Sequence, residues 1–241
     1  MIGATSGVAQ ALCEEFLMRG KEIVLAARNQ EKLKCLISNL ETRYDISPLS
    51  HYNFDIGQIK DHKEFFQRVI QAHPDVDGIF VACAVNHDQK KCESDTTLVE
   101  EMVRINFTGT MTIIDLFADY FSSKNGGMIS CITSVAGDRG RASNYYYGAT
   151  KSALNAYLSG LRNRLARTNV FVQTIKLGTV DTPMNSNREQ VPLMVKPVRA
   201  ARGIMRSMQK RYEVVYIPWF WCYIMLVIRL MPEKLFKRIA F

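Results

Sequence analysis

No run of this 241-residue chain is long and apolar enough to read as an ordinary membrane-spanning helix. The most apolar stretch, residues 214–232, is interrupted by Pro218, Arg229 and Pro232. Six cysteines stand at 13, 35, 83, 92, 131 and 222, and no two share a CxxC or CxxxC spacing. A zinc site or a redox pair therefore has no support, and no metal is expected. The thiols are expected to be reduced and mostly buried. Internal repeats and low-complexity linkers are also missing, so residues 1–241 are expected to form one domain, with 218–241 as an apolar, basic C-terminal extension. Met1-Ile2-Gly3 has neither the charged nor the apolar part of a secretory leader, so a cytoplasmic address is expected.

Acidic residues are scarce near the end of the chain. The net charge is +8, and residues 197–241, with nine Lys or Arg against two Glu, hold +7 of it. A basic tail suits nucleic acid or an anionic membrane surface. Here the basic residues flank an apolar segment and suggest no groove-reading element, so nucleic acid is not expected as a partner.

Strand-like and helix-like runs alternate throughout. Strands are expected at 22–27, 47–54, 78–84, 127–133, 170–177 and 213–217, and helices at 7–19, 30–44, 59–73, 96–122, 145–167 and 197–211. Such alternation predicts an α/β fold of Rossmann type: a doubly wound parallel sheet, three layers deep, with ligands at the carboxyl ends of the strands. The glycine turn at Gly3 should follow a full strand, but only two residues precede it. Most of the first strand is thus expected to be absent, and the true start of the chain is expected to lie upstream of Met1.

Gly3-Ala4-Thr5-Ser6-Gly7-Val8-Ala9 is a glycine-rich turn opening a helix. Its backbone can approach a pyrophosphate, and the helix offers free N–H groups. Gly3, Ser6, Gly7 and Val8 are candidate cofactor contacts. The next strand ends Ala26-Ala27-Arg28, without the carboxylate that would hold the ribose 2′-hydroxyl of NAD. Arg28 can instead pair with a 2′-phosphate, which points to NADP(H). Asp55, closing the third strand, can accept from the adenine amino group; as a helix-capping loop Asp it would look much the same.

Tyr147 and Lys151 stand four apart in a helical segment, on one face. A nearby ammonium stabilises a phenolate, so the pair can move a proton. YxxxK alone recurs by chance. Ser134, thirteen residues earlier, ends a strand-like run where its hydroxyl can hold a carbonyl oxygen. Asn106 sits inside a long helical pattern shortly before Gly109, which is locally unfavourable. Binding a water beside Lys151 would explain it.

With these residues in this order, the sequence resembles the short-chain dehydrogenase/reductase family over nearly its whole length. The resemblance implies that Asn106, Ser134, Tyr147 and Lys151 are the catalytic set. It implies that Gly3, Gly7 and Ala9 are the glycine motif, and that Gly178 and Thr182 in Leu177-Gly178-Thr179-Val180-Asp181-Thr182 bind the nicotinamide. Leu177 replaces the family's Pro, so that turn is expected to be looser. The family's NNAG segment is altered to Ala82-Cys83-Ala84-Val85, with Ala84 a cofactor contact, and side-chain hydrogen bonds that brace the sheet are expected to be lost. Residues 82–89, 134–151 and the C-terminal block are similar to decaprenylphosphoryl-2-keto-ribose reductases.

The tail combines Trp219, Trp221 and Tyr223 with Lys234, Lys237 and Arg238. That mixture suits a helix lying in a membrane interface, a buried C-terminal helix or a subunit contact. Together these readings predict an NADP(H)-dependent enzyme reducing a small-molecule or lipid-linked ketone, homo-oligomeric and with possible membrane contact through 218–241. Reduction of a steroid, retinoid or acyl ketone, or a non-catalytic nucleotide-binding role, are the alternatives.

Overall fold

The computed structural model describes residues 1–46, 48–185 and 193–238. Six parallel strands are formed by β1 (Leu25–Ala27), β2 (His51–Asn53), β3 (Gly78–Val81), β4 (Gly127–Ser134), β5 (Val170–Leu177) and β6 (Val214–Ile217). Between and after them run α1 (Gly7–Leu17), α2 (Gln30–Tyr44), α3 (His62–Ala72), α4 (Gln89–Ser94), α5 (Thr96–Val103), α6 (Thr110–Ser123), α7 (Tyr145–Arg164), α8 (Pro197–Gln209), α9 (Trp221–Leu230) and α10 (Glu233–Phe236). The local signals are ordinary ones. Ser6 caps α1, Asn29 caps α2 by accepting from Lys32 N at 2.9 Å, and Pro197 opens α8.

The sheet runs β2-β1, then a gap, then β3-β4-β5-β6. Ile2 fills the gap. It bridges Ala26 on one side and Val81 on the other, both in parallel. Its N–H donates to Phe80 O at 2.8 Å and its carbonyl accepts from Ala82 N at 2.9 Å. On the other side Ala26 N donates to Met1 O and Gly3 N donates to Ala26 O, both at 2.9 Å. Met1, Ile2 and Gly3 thus pair Ala26 N and O, Phe80 O and Ala82 N, which would otherwise face the gap.

Apolar faces on both sides bury this sheet. Residues from α3, α6 and α7 pack on one face with Ile129 and Val172, while α1 and α8 pack on the other with Phe80 and Ile175. Leu33, Ile37 and Leu40 of α2 cover β1. β5 is buried from Val170 to Ile175, so it reads as a nearly continuous apolar run rather than an alternating one. Gln173 interrupts that run at no exposed position. Its amide accepts from Ser130 and donates to Ser207 and Tyr212 O, so the buried polar group is satisfied.

Several expected boundaries move. β1 is three residues long instead of six, and β2 covers 51–53; position 47, the expected start of that strand, lies outside the described residues. The expected helix over 96–122 is two helices joined by a π-helical turn, Arg104–Gly109. Buried positions keep a spacing of three or four through the turn, from Met102 through Ile105, Asn106, Gly109 and Thr110 to Ile113, so the turn reads as continuous helix. Cysteine burial is also less general than expected: Cys35 and Cys222 are exposed, while Cys13, Cys92 and Cys131 are buried.

The slot at Ile2 gives a stability prediction. Ile2→Ala removes a buried side chain from the largest core cluster and should cost ~2–4 kcal/mol in urea unfolding. A loss below about 0.5 kcal/mol would show that the two halves of the sheet hold together without it.

Candidate active site

The carboxyl ends of the strands open onto a cleft of about 510 Å³. β4 and β5 finish in register, Ser134 beside Leu177, and β6 finishes with Ile217 beside the same Leu177. The residues expected in the site line this cleft except Ala9 and Asn106.

The glycine turn follows directly from Ile2. Gly3 has φ +79°, and a Cβ there would lie 2.8 Å from Cys83 Sγ and 2.9 Å from Ala82 C. Only glycine fits, on both counts. A Cβ on Gly7 would meet Thr182 Cγ2 at 3.1 Å, so the turn and the Gly178–Thr182 segment close on each other. Val8 and Ala84 complete that wall, and Ser6 stands at the head of α1. The first turn of α1 therefore opens on the cleft, where the free N–H groups of a helix start suit an anion, while Ser6 Oγ accepts from Ala9 N at 3.4 Å.

Arg28 stands at the far end, mostly exposed, 4.0 Å from Asp55. The Oδ1 atom of Asp55 accepts from Gly57 N at 2.9 Å, so this carboxylate shapes its own turn. Lys32, at the start of α2, also lines the cleft. It was not picked out from the sequence. Its signal was the spacing of four from Arg28, which brings a second cation to the edge where a 2′-phosphate would lie.

Tyr147 and Lys151 lie on one face of α7, with Lys151 Nζ 5.7 Å from the centre of the Tyr147 ring. Lys151 is fully buried and donates weakly to Ile132 O at 3.4 Å. A buried ammonium held by one long hydrogen bond leaves donors for a ligand hydroxyl. Ser134 Oγ accepts from Ala136 N at 3.1 Å and donates to Leu177 O at 3.4 Å. These bonds fix the hydroxyl at the strand end, on the cleft wall shared with Tyr147. Cys131 is close by, but burial pushes its thiol up to about 12, so it offers no thiolate near neutral pH.

Asn106 does something other than the expected water binding. It is buried in the π-helical turn. Its Oδ1 accepts from Val85 N at 2.8 Å; its Nδ2 donates to Val85 O at 2.8 Å and to Thr150 Oγ1 at 3.2 Å. Both amide N–H groups are thus taken by protein, and the side chain is a brace. It ties the altered Ala82–Val85 segment to α7 beside Lys151, which offsets the bracing expected to be lost there. Gly109 lets the same turn pack against Ile56, since a Cβ there would be 2.1 Å from Ile56 O.

The turn expected to be loose after Leu177 is backed from behind. The indole of Trp221 packs on Gly178, where a Cβ would lie 1.9 Å from Nε1. Gly178 N also donates to Ile217 O at 2.9 Å. Asp138, four residues past Ser134, binds Lys176 at 2.5 Å and Tyr216 at 2.7 Å. Burial and the Asp138 carboxylate push the Tyr216 phenol up, so it stays a donor. Residues 186–192 lie outside the described residues; Pro183 and Met184, just before them, line the cleft.

A family model described as short chain dehydrogenase matches residues 1–192. An uncharacterized oxidoreductase of Mycobacterium tuberculosis is 27% identical over 222 residues, covering 92% of this chain and 89% of that protein. Another, of Streptomyces coelicolor, is 27% identical over 241 residues, covering 100% and 94%. Among solved structures, a short chain dehydrogenase of Burkholderia cenocepacia in complex with NADP superposes with a TM-score of 0.83 at 21% identity, covering 98% and 94%. One from Sphingobium yanoikuyae in complex with NADPH gives 0.80 at 20% identity, covering 90% and 86%. At such identities the superpositions speak for the fold.

Asn106→Leu keeps the volume but strands both backbone groups of Val85. It should lower the urea unfolding free energy by ~2–4 kcal/mol. Wild-type stability in this variant would refute the bracing role.

Proposed function

The chain belongs to the short chain dehydrogenase family, and on that premise we propose that it is an NADP(H)-dependent oxidoreductase that reduces a ketone to an alcohol. The observation that carries this reading is the convergence of Ser134, Tyr147 and buried Lys151 on the cleft that the glycine turn opens. When bound, NADPH supplies the hydride for the carbonyl carbon. Ser134 Oγ, turning its proton from the long bond to Leu177 O, donates to the carbonyl oxygen. Tyr147 Oη gives that oxygen a proton as charge develops on it. Lys151 stabilises the phenolate left behind and holds the ribose hydroxyls. Asn106 keeps α7 and the Ala82–Val85 wall in position. The same groups run the reaction in reverse, so direction follows from the cofactor ratio.

Support for NADP(H) comes from the cleft edge. Ala27 ends β1 without a carboxylate, and Arg28 and Lys32 offer two cations. For the substrate we propose a lipophilic ketone, with a polyprenyl-phosphate-linked 2-keto sugar as the specific reading. The similarity of residues 82–89 and 134–151 to reductases of that substrate, and an apolar tail packed beside the site, favour it.

Two measurements test this. With a panel of ketones, Tyr147→Phe should lower turnover ~10²–10⁴-fold while NADPH binding stays nearly unchanged; retained turnover would refute the assigned proton donor. The double variant Arg28→Ser/Lys32→Ser should weaken NADPH by about 10–100-fold and NADH little, the range for losing charge-assisted hydrogen bonds. Equal losses for both cofactors would remove the 2′-phosphate argument.

A further inference from the structure

The C-terminal helix has two faces, and only one is accounted for by the fold. Its inner face is locked to the catalytic loops. Met225 and Ile228 pack with Val135, the residue after Ser134, and with Phe236 of α10. Trp221 lies on Gly178. Arg139 reaches across to clamp the end of α9: its guanidinium donates to the carbonyls of Ile228 and Met231, pairs with Glu233 at 2.7 Å and stacks 3.9 Å over the Phe236 ring.

The outer face is apolar and bare. Trp219 is 68% exposed, Tyr223 64%, Val227 62% and Leu230 74%, with Leu226 and Leu235 more than half exposed beside them. Positions 223, 226, 227 and 230 fall on one stripe of α9, with Trp219 exposed in the turn just before it. Large apolar side chains left in water along a whole stripe mark a contact surface. Arg229, Lys234, Lys237 and Arg238 rim it, all exposed and none in an ion pair among the described residues. The one acidic residue of this region, Glu233, is already taken by Arg139.

We propose that α9 and the basic turn after it form a docking surface for an anionic phospholipid bilayer. The rim chooses between occupants. A second copy meeting this face about a two-fold axis would set one basic rim against another, and like charges repel. An anionic lipid surface complements the rim, and the aromatic-then-aliphatic stripe suits the headgroup boundary. No helix among the described residues is long and apolar enough to cross a membrane, so α9 lies along the surface. Because the inner face is fixed to Val135 and Gly178, docking sets the cleft at a constant position relative to the bilayer. The docking itself does not rest on the ketone chemistry proposed above.

Flotation with vesicles tests it without any turnover. The full chain, loaded with NADPH, is mixed with vesicles of phosphatidylcholine alone or with about a third phosphatidylglycerol. Wild type should float with the anionic vesicles, weakly with the neutral ones, and less at about 0.5 M salt. Two variants, Tyr223→Ser/Val227→Ser/Leu230→Gln and Lys234→Gln/Lys237→Gln/Arg238→Gln, should each bind at least about tenfold more weakly. All six side chains are exposed, so melting temperature and NADPH binding should stay near wild type. Absence of wild-type flotation, or equal flotation of the variants, overturns the proposal. So does a stable wild-type dimer in size-exclusion chromatography that falls apart in the apolar-face variant, which would show that a second copy covers the stripe. Failure of turnover with flotation intact would count against the reductase reading alone.

Discussion

Unpaired backbone at the centre of a buried parallel sheet is costly, and Met1, Ile2 and Gly3 answer that demand here. Ile2 and its neighbours hydrogen-bond to Ala26 on one side and to Phe80 and Ala82 on the other. Without those bonds β1-β2 and β3-β4-β5-β6 would be separate sheets. The glycine turn leaves directly from this point, so its position against Cys83 and Thr182 is inherited from the slot. The cofactor end of the cleft is only as rigid as that short stitch.

The Ser134–Tyr147–Lys151 end of the cleft is held differently. Ser134 is set by the register of β4 on β5, and Tyr147 and Lys151 by one helix. The loop between them is fastened by charge. Asp138, almost wholly buried, shares its carboxylate between Lys176 and Tyr216 on the two neighbouring strands. Removing either partner would leave a buried charge under-satisfied, which costs more than the pair contributes. Arg139, the next residue, extends the same fastening to the last helices. Two adjacent side chains thus tie the loop after the serine to both the sheet and the tail.

Much of this was legible in the sequence, and what was legible was local. The alternation of strands and helices, the glycine turn and the Tyr147–Lys151 spacing each need only a few consecutive residues. So does the position of Ser134 at a strand end. What stayed hidden depends on contacts between distant segments. Asn106 looked like an unfavourable helix residue because its partners, Val85 and Thr150, lie far from it in the chain. The π-helical turn was invisible because its buried positions keep the spacing of a helix. Leu177 suggested a loose turn because nothing near it announces Trp221. The tail was recognisably apolar and basic, but which of its side chains turn inward is decided by Val135 and Phe236.

Trp221 and Trp219 stand on opposite sides of one chain segment, the first against Gly178 and the second facing outward. The tail is therefore inseparable from the site, and inheritance would feel it. A change along this segment alters the backing of the Gly178–Thr182 loop and the character of the outer surface together. Descendants of such a chain would diverge in what they act on and in where they act by the same few substitutions, while the glycine turn at the other end stayed as it was.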